Sequence, residues 1–207
     1  MKKLLIIVTA AMAFASYAYA QGTIVLINAE NTSADINATA NGLVWTNDGK
    51  GGIGLWRGDL YNLSLQILGG PSTDSLTPLR LIREDVVEAA GDYTGLDVGK
   101  FVGTWNEVAV LTVPGISPGG TAWIHLKLWW SAGGPVSPTY DAAKTDGHSF
   151  FGEALFQNPT GNPLASPPGL PLTLTGMPAI VLMVPEPSMF ALAGLGLAGL
   201  LIFRRRK

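Results

Sequence analysis

Residues Thr121 to Trp130 alternate between two sets of side chains, and that alternation constrains the fold more than anything else in the chain. Ile124, Leu126, Leu128 and Trp130 fall on one face, and Trp123, His125, Lys127 and Trp129 on the other. A period of two is the signature of a β-strand with distinct faces. Tyr61-Asn62-Leu63-Ser64-Leu65-Gln66-Ile67 repeats the pattern and stops at Gly69-Gly70-Pro71. Val108 to Val113 is a short apolar run ended by Pro114-Gly115, which predicts a strand buried on both sides. Thr23 to Ile27, Leu43 to Trp45, Ser149 to Phe156, Leu172 to Thr175 and Ala179 to Val184 complete the expected strands.

Turn clusters punctuate these runs: Asn47-Asp48-Gly49-Lys50-Gly51-Gly52, Ser117-Pro118-Gly119-Gly120 and Gly133-Gly134-Pro135. Such residues supply the positive or fixed φ of tight connections. With 26 glycines and 14 prolines in 207 residues, a long helix bundle is excluded. Only Leu81 to Ala90 suggests a helix. Asn158 to Pro171 carries five prolines and reads as a long extended loop. The expected fold is all-β, a single β-sandwich or jelly-roll-like domain.

The two ends of the chain are of another kind. Met1-Lys2-Lys3 and the apolar run from Leu4 to Phe14 precede Ala18-Tyr19-Ala20. Small residues at Ala18 and Ala20 fit a signal-peptidase site before Gln21. The run is shorter than the roughly 20 residues of a permanent span. Residues 1–20 therefore read as a signal peptide, with an N-terminal anchor as the alternative.

At the other end, Pro185-Glu186-Pro187 precedes an unbroken apolar stretch from Met189 to Phe203. Arg204, Arg205, Arg206 and Lys207 follow it. Fifteen helical residues span about 22 Å, and the basic end would stay cytoplasmic. This order of parts resembles the PEP-CTERM sorting signal of exported bacterial proteins. The resemblance implies transient insertion into the inner membrane and processing by an exosortase, a membrane-embedded cysteine protease. Delivery to the cell surface or to an exopolysaccharide matrix would follow. A tail-anchored single-pass protein is the alternative. Gln21-Gly22-Thr23, Val113 to Gly119 and Thr139 to Ala143 are also similar to PEP-CTERM precursors whose exported β-rich domain has no assigned activity.

The expected organisation is thus a signal peptide at 1–20, an exported domain at 21–184 with its proline-rich loop at 158–171, and a sorting signal at 185–207. The net charge of −2 conceals an asymmetry, because six of the thirteen cations lie in the two end segments. The part from Gln21 to Pro187 keeps seven cations and all fifteen carboxylates, a net charge of −8. That favours solubility and disfavours nucleic acid or an anionic membrane as partner.

Motifs for chemistry are sparse. Without cysteine there is no thiolate ligand, thiol nucleophile or disulfide. His125 and His148 stand outside any metal-ligand spacing, and the sequence places no orienting partner beside His125. No G-x-S-x-G, phosphate-binding loop or dinucleotide fingerprint occurs. The acidic groups Glu84/Asp85/Glu88, Asp92/Asp97 and Asp141/Asp146 read as solvated loop residues, since none follows the calcium-loop pattern; flanking a sugar or holding calcium is the alternative. Asn31, Asn37 and Asn62 open Asn-x-Ser/Thr triplets, which carry no meaning in a bacterial-type precursor. No cofactor or metal is expected.

Six tryptophans are the most suggestive internal feature. Trp129 and Trp130 are adjacent on a strand and must face opposite ways. With Trp130 inside, Trp123 and Trp129 share the outer face and offer a surface on which sugar rings stack. The expectation is a non-catalytic surface or matrix protein. The alternative is an extracellular glycan-binding module, or a weak glycan hydrolase, built on that aromatic face.

Overall fold

The computed structural model describes residues 21–28, 42–47, 53–55, 63–84, 105–131 and 134–183. Nine strands and one helix lie in this part. They are β1 (Gly22–Ile27), β2 (Val44–Asn47), β3 (Ile53–Leu55), β4 (Ser64–Gly70), β5 (Thr77–Ile82), β6 (Asn106–Val113) and β7 (Thr121–Trp130). Helix α1 (Tyr140–Thr145), β8 (Phe150–Pro159) and β9 (Ile180–Leu182) follow. The all-β class expected from the alternation is the class that forms.

The largest sheet is antiparallel, in the order β5-β4-β7-β8. Its longest ladder pairs β7 with β8 from Thr121↔Pro159 to Trp130↔Phe150. Register follows from burial. Ile124, Leu126 and Leu128 lie level with Gly69, Ile67 and Leu65 of β4, so one face of the sheet is continuously apolar. On β8 the same alternation buries Gly152, Ala154, Phe156 and Asn158 and exposes Glu153, Leu155, Gln157 and Pro159.

Two smaller sheets accompany it among the described residues. β1 pairs with β6 antiparallel, and β2 lies between β3, antiparallel, and β9, parallel. Ile24 and Leu26 of β1, Leu111 and Val113 of β6, Val44 of β2, and Ile180 and Leu182 of β9 join one core with the inner face of the large sheet. The parallel β2–β9 pair departs from an antiparallel jelly roll, because the end of the chain returns beside a strand near its beginning.

Several expectations are corrected. β6 is buried on one face only: Leu111 and Val113 are inside, while Val110 is 57% exposed. Leu172 to Thr175 forms no strand and contributes a single bridge from Leu172 to Ile24. Leu81 and Ile82, expected to open a helix, end β5, Arg83 and Glu84 follow without helix, and 85–90 lies outside the described residues. β3 and α1 were not legible. The proline-rich loop starts after Pro159, since β8 takes in Asn158 and Pro159. The cluster Ser117 to Gly120 does place a turn, while 48–52 and Gly133 of the other two lie outside the described residues. Gly115 and Gly119 adopt φ of +75° and +76° between β6 and β7, a conformation open to glycine at little cost.

Candidate functional site

The outer face of the large sheet was expected to carry Trp123 and Trp129 together. β7 does send both away from the core, but their surroundings differ. Trp123 is half-buried, whereas Trp129 is fully buried in a second, smaller cluster with Tyr140 and Ala143, packed against Phe151. The cover is α1. Thr139 caps its first turn by accepting from the Ala142 N–H, and Tyr140 and Ala143 face the sheet. The Trp129 indole N–H donates to the Ser137 carbonyl at 2.9 Å, and the Tyr140 ring meets Trp129 edge-on at 6.3 Å. The two-tryptophan stacking surface therefore does not exist. Trp130, on the inner side, stacks on Phe150 at 5.1 Å and packs against the main core.

His125 has a partner after all. Its Nε2 lies 2.9 Å from Glu153 Oε2 on β8. Glu153 is level with Lys127, so the contact runs diagonally across the ladder. Only the pairing of β7 with β8 brings the two together, since 28 positions separate them. Lys127 and Lys144 each hold their ammonium about 5.5 Å or less from the Tyr140 ring centre, at 5.4 and 5.5 Å. Burial, with the Glu153 and Asp141 charges, pushes the Tyr140 hydroxyl upward, so it stays protonated.

A second polar cluster closes the excursion between β7 and β8. The Asp146 carboxylate accepts from the Ser137 and Ser149 hydroxyls and from the backbone N–H groups of His148 and Ser149. Burial opposes its charge, and these donors overcome that penalty, holding its pKa at about 2. His148 Nδ1 and Nε2 lie 3.2 Å from the carbonyls of Asp146 and Pro135. Two acceptors facing one ring favour the imidazolium, so Pro135, then Asp146, raise the His148 pKa against desolvation, with the Asp146 and Glu84 charges adding to this. Of the expected acidic pair Asp141/Asp146, Asp141 lies in the first turn of α1 and Asp146 caps its end. Among the described residues, no group of three or more His, Cys, Asp or Glu is arranged to hold a metal ion.

Gln21, the residue after the expected signal cleavage, is half-buried and directly precedes β1. Ala18 and Ala20, Pro185-Glu186-Pro187 and Arg204 to Lys207 lie outside the described residues, as do Trp56, Asn31, Asn37, Asn62, Asp85, Glu88, Asp92 and Asp97. At the other end, Met183 exchanges both backbone hydrogen bonds with Phe151, each at 2.9 Å. The folded domain is therefore hydrogen-bonded up to the residue before Val184.

The part of the chain that follows is where comparison with known proteins is informative. An all-β domain is here joined to a C-terminal segment of separate character. Residues 184–207 match the family model described as the PEP-CTERM protein-sorting motif. The chain thus carries a PEP-CTERM sorting motif at its C-terminal side, and that motif supports export and sorting through exosortase by way of a membrane-anchored precursor. Comparisons of the chain with curated proteins and with solved structures returned no match.

Proposed function

We propose that the β domain is a non-catalytic component of the cell surface or extracellular matrix, and that its sorting tail is removed on the way there. The observation that carries this reading is the sorting motif at 184–207, set directly after the last backbone bridge of the domain at Met183. The side chains most suited to chemistry are engaged in the fold. Asp146, Ser137, Ser149 and His148 hold the loop before β8, and His125 and Glu153 tie β7 to β8. The net charge of −8 between Gln21 and Pro187 keeps such a domain soluble among polyanions without binding to them. Signal peptidase and exosortase are its transient partners, and exopolysaccharide is the medium in which it resides.

Cell fractionation with intact-mass measurement tests this. A surface or matrix fraction should contain a polypeptide that begins at Gln21 and lacks Phe190 to Phe203. Recovery of the full tail in that fraction would refute processing. A mature form confined to the periplasm would refute the surface role.

A further inference from the structure

The sheet β3-β2-β9 has one face in the core and one face open. Val44, Ile180 and Leu182 point inward and are buried. Their neighbours point the other way, and register sets them in two rows. Leu55, Trp45 and Val181 form the first row and are half-buried. Ile53 and Met183 flank Asn47 in the second, because Asn47 pairs with Ile53 and Met183 follows Leu182, the partner of Thr46. Ile53 is 51% exposed and Met183 52%. Among the described residues, five apolar side chains thus share one surface with a single polar residue and no charge. Isolated exposed apolar residues need no explanation, but a contiguous set marks an interaction surface.

The chain itself indicates what this surface meets. Met183 is pinned to Phe151, and the uninterrupted apolar run begins at Met189. Six extended residue steps reach about 20 Å. When the tail is in the membrane, Met183 is therefore held within about 20 Å of the hydrocarbon edge, and Ile53 lies about 10 Å across the sheet from it. We propose that in the precursor the outer face of β3-β2-β9 rests on the phospholipid surface, with Ile53 and Met183 toward the lipid. This rests on the reading that the tail is membrane-inserted. Exposed apolar side chains such as Ile53 and Met183 suit the interface. The domain's net charge of −8 opposes a free approach to an anionic leaflet. Tethering offsets this by keeping the patch at high effective concentration, and cleavage of the tail removes that advantage. The contact would orient the processing site in the precursor and lapse in the released domain.

The natural absence of cysteine makes the test direct. Full-length single-cysteine variants Ile53→Cys, Met183→Cys, Val110→Cys and Phe190→Cys would carry an environment-sensitive fluorophore in phosphatidylcholine vesicles containing spin-labelled lipid. Val110 is equally exposed but lies on the β1–β6 sheet. Labels at 190, 53 and 183 should be quenched, the last two at least about twofold more than the label at 110. Quenching at 190 with no excess at 53 and 183 would overturn the contact while leaving tail insertion intact. No quenching at 190 would overturn the insertion reading and the contact with it. Quenching at 53 and 183 that requires exosortase in the vesicle would overturn the lipid contact in favour of a protein one.

Discussion

Asn28 and Trp105, 77 residues apart, are joined by a buried hydrogen bond in which the Trp105 backbone N–H donates to Asn28 Oδ1 at 2.6 Å. The Asn28 amide also donates to the Gly42 carbonyl at 2.6 Å, and the Trp105 indole donates to the Leu26 carbonyl at 3.1 Å. One side chain thus ties the end of β1 to the entries of β2 and β6. Asn28→Ala leaves a buried donor and a buried acceptor without these partners. The expected loss is about 2–4 kcal/mol, read from urea unfolding.

Trp123 and Trp129 occupy the same face of one strand but differ in burial, and their substitutions should separate accordingly. Trp129→Ala removes the contact on which α1 docks and should cost about 3–5 kcal/mol. Trp123→Ala, at a half-buried position, should cost clearly less. Thermal unfolding of the two variants side by side checks the ranking, and equal losses would contradict the packing described here.

The Asp146–His148 pair makes the loop before β8 sensitive to pH at both limits. Asp146 titrates at about 2 in the folded state against an ordinary 3.8, so its contribution is present above 3.8 and lost as pH falls through about 2. His148 is raised above 6.5, so its contribution is full below 6.5 and lost as pH rises through the folded value. The clasp is therefore strongest between these limits. Asp146→Asn should lower the His148 midpoint, as followed by imidazole NMR signals, and flatten the acid side of the stability profile.

Gly152 sits where β8 passes β9. A Cβ there would lie 2.7 Å from the Val181 carbonyl oxygen and 2.9 Å from Ile180 Cγ2. Gly152→Ala should push β9 away at a cost of about 1–3 kcal/mol. Hydrogen exchange at Ile180, Val181 and Leu182 should accelerate. Gly54→Ala is the control, because nothing lies within 4 Å of its Cβ position, and stability should stay within about 0.5 kcal/mol.

What was legible in the sequence follows from how local each signal is. The ten-residue alternation of β7 specified its length and both of its faces, since apolar side chains every second residue must share a side. β3 was too short to show a period, and its middle residue is glycine. The pairing of β5 with β4 is interrupted by an irregularity near Ile67 and Leu68, so Leu79, Leu81 and Ile82 do not alternate cleanly. Helix α1 has six residues, and only the cap at Thr139, Asp141 in the first turn and Lys144 in the last betray it.

By itself the sequence determined the all-β class, the glycine turn between β6 and β7, and the sorting motif from 184 onward, because backbone preference and a linear recognition motif are both written in neighbouring residues. Tertiary structure alone decided that Trp129 is covered and that His125 meets Glu153. It also returned β9 to lie parallel to β2, which sets Met183 on the same outer face as Val181. Alternation says that a side chain leaves one face of a strand, but not what another element lays over it. That depends on contacts between residues far apart in the chain, whose register is set by burying the whole core at once.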